Sequence, residues 1–365
     1  MVTFPYPDSR CRINSMLLDE AGNVYMSALI WKEKKARKKG KPVYQTHLFA
    51  YRNNGTVYHD YVLDQNDDFL RNVTLGLTED NHIQCTGVYS STGYNHVKGV
   101  YLAVVDPVDQ KISKVFYTQL SKSFVLETCD EEEKKILLKK KTQAPEKPET
   151  YVYQVIPQAD GGMVYIMQEY KYKKDYTGEL GYISVEETLR NRKEGSGGYE
   201  YYNDLLIVSI SAEGEIEWNI SIPKVQYTSG NFNFSPLYPV SPYASIFATA
   251  VGEDIYIFFN DKLENYQNRE NPQIFSLPTI GGRAAINITI SDGGKGTYLG
   301  MVAIAPDGTY TEQQVLDYDK DKIGVSITKL FQTSAKEMIL QGWEDTSVRP
   351  GQQNYNMKLG KITFE

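Results

Sequence analysis

The sequence predicts an all-β chain folded as a β-propeller of five four-stranded blades, its ring closed by the N-terminal strand. Three observations carry this expectation. A two-hairpin unit recurs five times along the 365 residues. The turns inside it are rich in Gly, Asn and Asp, which tolerate φ > 0 or hydrogen-bond their own backbone. The composition leans toward strands, with 29 Tyr and 13 Phe whose rings suit a pleated surface.

The first hairpin of each unit can be followed in order. RINSMLL turns at Asp19–Asn23 into VYMSALIW, and LRNVTLGL turns at Thr78–Asn81 into HIQCTGVY. TYVYQVIP turns at Gln158–Gly162 into MVYIMQEY, and YASIFATAV turns at Gly252–Asp254 into IYIFFN. VSITKLFQ turns at Thr333–Glu337 into MILQGWED. A second hairpin follows the first four copies, turning at Arg52–Gly55, Asp106–Asp109, Ser211–Gly214 and Pro306–Gly308. Asn54-Gly55 and Asp307-Gly308 are strong hairpin signals. The fifth copy ends at MKLGKITFE without a fourth strand, and Val2 to Tyr6 is expected to supply it, which would remove exposed edges. The chain thus reads as a single domain with blades over 12–62, 70–118, 149–223, 242–317 and 323–365 plus 1–6.

Asp19, Gly22, Asn23 and Tyr25 follow an apolar strand in that order. On these residues the unit resembles the blades of propeller repeats of the NHL and YWTD type. Later copies follow the pattern loosely, and neither the YWTD tetrapeptide nor a WD40-type Trp-Asp dipeptide is present. The resemblance implies a fold and not a function, because propellers host many unrelated activities.

With the strands of a blade named A to D, the A–B and C–D turns lie on one face, and the B–C loops and D–A crossovers on the other. Every A–B and C–D turn is short. The insertions are B–C loops at 32–43, 171–200 and 261–297, and crossovers at 119–149 and 226–242. Long loops in a compact domain are commonly functional, and these all leave from one face, which the resemblance implies is the face used for binding or catalysis.

The net charge of −7 speaks against general affinity for nucleic acid or an anionic membrane. Against that background, Lys32 to Pro42 holds seven cations and one anion, a basic loop suited to an anionic partner. Its candidate binding residues are Lys34, Lys35, Arg37, Lys38 and Lys39. Aromatics interleaved in the loops are candidates for stacking on sugars or anchoring a protein: Tyr94, Tyr172, Tyr176, Tyr199, Tyr227, Phe232, Phe234 and Tyr266. Residues 130–141 order acids before bases around Ile-Leu-Leu, predicting a short surface helix, with 142–150 an extended connector. A second helix is expected over 183–192, capped by Ser184 with Glu187 three residues on.

Catalytic signatures are missing. The A strands contain no Asp or Glu, where five-bladed glycosidases place paired carboxylates near the channel, although the loop acids Asp67, Asp68 and Glu169 remain available. The four histidines have no ligand spacing, and no P-loop, G-x-S-x-G or dinucleotide fingerprint appears. Asp317, Asp319 and Asp321 have the spacing that opens a calcium loop but lack its glycine and its twelfth-position acid, so they are a weak calcium candidate. Cys11, Cys85 and Cys129 read as buried or incidental thiols. No metal and no cofactor is expected.

No stretch approaches the roughly 20 apolar residues of a membrane helix. The first residues have neither a basic n-region nor an apolar h-region. The expectation is a non-enzymatic binding or scaffold protein for a protein or glycan partner, in the periplasm or at the cell surface within an envelope assembly. A cytoplasmic location is the alternative compartment, and a carbohydrate-active enzyme is the alternative function.

Overall fold

The computed structural model describes residues 5–64, 66–78, 80–93, 95–129, 131–139, 145–174, 198–224, 226–229, 246–267, 279–280, 283–284, 296–345 and 355–364. Alternating apolar residues bounded by turn formers give strands, and each recurrent unit becomes one antiparallel meander. The first sheet runs β1 (Cys11–Leu18), β2 (Val24–Trp31), β3 (Tyr44–Arg52) and β4 (Val57–Val62) in sequence order. The second comprises β5 (Arg71–Leu77) and β6 (Ile83–Tyr89), followed, after the short strand β7 (His96–Val97), by β8 (Gly99–Asp106) and β9 (Lys111–Gln119), ordered 5-6-8-9. A short strand β10 (Lys147–Pro148) precedes the third sheet: β11 (Thr150–Pro157), β12 (Met163–Lys174), β13 (Gly198–Ile210) and β14 (Ile216–Ile222), with β15 (Gln226–Ser229) paired to β13.

The fourth sheet comprises β16 (Phe247–Val251) and β17 (Asp254–Lys262), then, beyond the short pair β18 (Thr279–Ile280) and β19 (Arg283–Ala284), β20 (Thr297–Ile304) and β21 (Tyr310–Asp317). The fifth sheet is β22 (Ile323–Ser334), β23 (Glu337–Asp345) and β24 (Tyr355–Thr363), three strands among the described residues. The chain is therefore all-β, and its unit is the four-stranded antiparallel blade of a β-propeller. The turns fall where the sequence places them. At the β3–β4 turn, Asn53, Asn54 and Gly55 all take positive φ (49°, 56° and 80°), which Asn and Gly accept at least cost. The closing strand expected from Val2 to Tyr6 falls partly on residues 1–4, outside the described residues. Tyr6 itself rests on the first sheet, its ring 5.9 Å from both His47 and Phe49.

The chain divides into two compact units, Met1–Met167 with Ile207–Asn219, and Gln168–Leu206 with Ile220–Glu365. In the first, Tyr25, Leu48 and Tyr61 of one sheet pack with Val73, Ile83, Cys85, Tyr101 and Val105 of the next, all buried. Each aliphatic side chain of this set contributes about 1.5–3 kcal/mol by leaving water. Polar staples hold the neighbouring sheets in register: Ser27 Oγ donates to Val73 O at 2.6 Å, Tyr101 Oη to Leu63 O at 3.1 Å, and Tyr165 Oη to Tyr101 O at 2.6 Å. In the second unit, Phe258 and Leu299 pack with Val325, Ile327, Leu330, Met338, Leu340 and Phe364. The three cysteines are free thiols, with Cys85 and Cys129 buried.

Candidate functional site

Within the first unit, the two ends of the sheets have different characters. At one end the four short turns converge. Asn53 N–H donates to Asn23 Oδ1 at 3.1 Å, the Arg52 guanidinium to Pro107 O, and His82 Nε2 lies 3.6 Å from Asp106 Oδ2. Together they frame a polar groove of about 490 Å3 lined by Asp19, Asn23, Arg52, Asn81, His82 and Asp106. Its acids are turn formers: Asp19 accepts from Asn23 N and Tyr25 Oη, and Asp106 from Val108 N and Asp109 N.

At the opposite end the long connections meet and are stitched together. The 32–43 loop closes through Lys32 N–H to Val43 O at 2.8 Å, then turns through a 3-10 segment, Lys34–Ala36. Lys32 pairs with Asp67 of the β4–β5 crossover at 3.6 Å, and Lys41 Nζ donates to Asp67 O at 3.4 Å. Along the same crossover, Phe69 and Ser90 exchange backbone bonds at 2.7 and 3.3 Å. Ser90, Ser91 and Thr92 in turn grip Glu146 of the 119–149 crossover. Its carboxylate accepts from Ser90 Oγ (2.7 Å), Ser91 N (3.0 Å), Ser91 Oγ (2.6 Å) and Thr92 Oγ1. β7 pairs with β10, His96 opposite Pro148, beside the same grip.

Two helices belong to this crossover. α1 (Lys122–Glu127) is capped by the Ser121 side chain, which accepts from Phe124 N. α2 (Glu131–Lys139) is the helix predicted from the acid-then-base run, with its ion pair at i,i+3 between Glu131 and Lys134. Lys147 is fully buried, donating to Thr128 O at 2.6 Å and pairing with Glu133 of α2 at 3.2 Å.

Electrostatics follow from burial and hydrogen bonding. Burial pushes the Asp64 carboxyl up to about 6, against the opposing pull of the Thr46 N–H, its own N–H, Lys32 and His47. Burial also raises Asp68, opposed by Lys98 and Lys41. For Glu146, burial acts upward, but the hydroxyls of Ser91, Thr92 and Ser90 and the Ser91 N–H outweigh it and hold the carboxyl below the usual range.

Lys34, Lys35, Arg37, Lys38 and Lys39 are brought together on the first loop, all exposed. Tyr266 is half-buried against Tyr298, ring centroids 5.3 Å apart. Tyr172, Tyr199 and Tyr227 lie on β12, β13 and β15, with Tyr199 opposite Ser229 and Tyr227 opposite Tyr201, and their side chains are outside the described residues. Tyr94, Tyr176, Phe232 and Phe234, and the helix expected over 183–192, also lie outside the described residues. Asp317, Asp319 and Asp321 each accept from a backbone N–H, of Asp319, Gly296 and Asp317 respectively, and so shape a helical turn, α3 (Tyr318–Asp321). Among the described residues no group of three or more His, Cys, Asp or Glu is placed to hold a metal ion. Glu169, in the second unit, pairs with Lys171 at 3.0 Å.

Sequence reasoning missed the burial of Glu146 and Lys147, which it read as part of an extended connector. The only local trace was their position between prolines and Thr-rich residues, an extended stretch able to lie along another segment. The arrangement can present exposed cations to an anion from a loop whose base is bonded down.

No family model and no curated protein matches the sequence. Among solved structures, the chain is similar to a protein of unknown function from Dyadobacter fermentans, at 9% identity over 99% of this chain and 97% of that one, TM-score 0.30. It is also similar to a thermostable family-43 glycoside hydrolase (9%, 100% and 94%, TM-score 0.32) and to an endo-arabinase from Bacteroides thetaiotaomicron (8%, 96% and 93%, TM-score 0.29).

Proposed function

We propose that this chain is a non-enzymatic binding or scaffold propeller that engages a protein or glycan partner through its loop-rich face, in the periplasm or at the cell surface. The blade resemblance to NHL and YWTD repeats belongs to the same reading. One observation carries it. In the first unit the B–C loops and crossovers converge at one end and are bonded to one another, while the four turns at the other end stay short. Unselected insertions would scatter over both ends, and the bonds between these would not be needed. The test is capture of partners from an envelope extract of the native host by the wild type and by a chain whose 32–43 loop is shortened to a glycine turn. A partner held by the wild type and released by the shortened chain supports the reading. No stable partner for either chain sinks it.

A second reading, a carbohydrate-active enzyme, is favoured by Asp64 at the loop-rich end. A carboxyl that holds its proton to about pH 6 has the character of a general acid. Incubation with a polysaccharide panel, with product release lost in Asp64→Asn, would select it. No release from any member by the wild type removes it.

A further inference from the structure

We infer that the 32–43 loop is a docking site for a linear polyanionic glycan, a sulfated or uronate-rich polysaccharide. This rests on the binding role of the loop-rich face and deepens it to a ligand class.

The loop is anchored at its base and charged at its tip. Beyond the closing bonds to Val43 and Asp67, Arg37 Nε donates to Lys32 O at 3.1 Å and Lys41 N–H to Lys38 O at 3.2 Å. The anchored cations, Lys32 and Lys41, are therefore distinct from those that project. The one acid of the loop, Glu33, is shared between Arg10 at 3.7 Å and Lys35 at 3.1 Å. Lys34, Lys38 and Lys39 are exposed and have no carboxylate within 4 Å among the described residues. A chain of net charge −7 thus concentrates unpaired positive charge on one short segment. Screening over about 10 Å at 0.1 M salt lets that segment act locally against the repulsion of the whole.

The residue types select the ligand. Four of the five projecting cations are lysines, compact point charges without the planar fork that reads one carboxylate or phosphate in a fixed geometry. Charge density is what such a set reads. Protein interfaces are depleted in Lys and anchored by buried aromatic or Arg residues, and from Lys34 to Lys41 the sequence holds no aromatic and no aliphatic larger than Ala36. Single-stranded nucleic acid needs aromatic platforms for its bases, and the loop has none. A polysaccharide bearing a charge on successive sugars needs neither.

The experiment measures binding of the full chain to heparin and to polygalacturonate by calorimetry from 50 to 200 mM salt. It compares the wild type with the triple variant Lys34→Gln, Lys38→Gln, Lys39→Gln. A charge-matched control, Lys111→Gln, Lys114→Gln, Lys336→Gln, removes the same charge elsewhere. Five contacts predict a log–log salt slope of about −3.5 and roughly a hundredfold loss of affinity over that range. The triple variant is expected to weaken binding at least about tenfold at 50 mM and to reduce the slope by about 2, with the control close to wild type. Equal binding by the triple variant and the wild type overturns the inference. So does tighter binding of polyglutamate or of a single-stranded oligonucleotide at matched charge. If the wild type binds neither glycan while the loop-shortened chain still loses its extract partner, the ligand class is wrong and the role of the face stands.

Discussion

Glu146→Ala removes the clasp between two connections. The carboxylate is buried at 6% exposure and accepts four hydrogen bonds, one from a backbone amide and three from hydroxyls. Hydrogen bonds to a charged group contribute about 1.5–3 kcal/mol each, and a buried donor left without an acceptor costs about 1–3 kcal/mol. Hydroxyls rotate to new acceptors, and Ser90 Oγ already accepts from Thr92 N and Gly93 N. The amide of Ser91 has no such freedom, so the expected loss is about 3 kcal/mol rather than the full sum. At about 1.3 °C per kcal/mol for a chain of 365 residues, the melting temperature falls by about 4 °C.

The pH dependence fixes the mechanism. Because the folded carboxyl sits below its ordinary value, its contribution is present above about pH 4.3, the unfolded value. It is lost as pH falls through the lower folded value. Melting wild type, Glu146→Gln and Glu146→Ala from pH 7 to pH 4 should show a gap that is full at pH 7 and begins to narrow near pH 4. A gap below about 0.5 kcal/mol at pH 7 would refute the reasoning, as would one that widens as acid is added.

Other perturbations have equally direct outcomes. Asp64→Asn keeps an acceptor for the Thr46 N–H while removing a buried charge. Asp64 is raised when folded, so its ionisation reduces wild-type stability as pH climbs from about 4 to about 6. Urea titration should find the variant about 3 kcal/mol more stable at pH 8 and close to equal at pH 4. Gly99→Ala drives a Cβ into Thr118 O and the Tyr89 ring, with Gln119 Cα at 2.9 Å, and should cost about 3 kcal/mol in the same titration. Tyr165→Phe removes the 2.6 Å bond that its hydroxyl donates to the buried Tyr101 carbonyl, and is expected to cost about 1 kcal/mol with circular dichroism unchanged.

Most of the blade was legible because hairpins are local. The turn at Arg52–Gly55, the alternation of VYMSALIW and the acid-then-base order of 130–141 all act over a few residues; β4 follows the first, and β2 and α2 lie on the other two. The burial of charge was not legible. Glu146 and Lys147 read only as part of an extended connector because their partners lie 54 to 56 and 14 to 19 residues away, at Ser90–Thr92, Glu133 and Thr128. Arg71 is fully buried for the same reason, donating to Thr150 O across 79 residues of chain. α1 was missed although Ser121 marks its start, because its buried pair, Phe124 and Val125, is too short a pattern to show a period. On the candidate site, the basic loop was legible from composition alone, whereas the bonds that hold its base to Asp67 were not.

The closure of the 32–43 loop by Lys32, Val43 and Asp67 has a practical consequence for protein engineering. A segment whose two ends are already fixed by main-chain and ionic bonds behaves as a cassette. Foreign peptides of similar length, inserted between residues 33 and 41, inherit preset endpoints and need not fold the platform beneath them. The sheet can then serve as a display frame in which the tip sequence is varied independently of the frame.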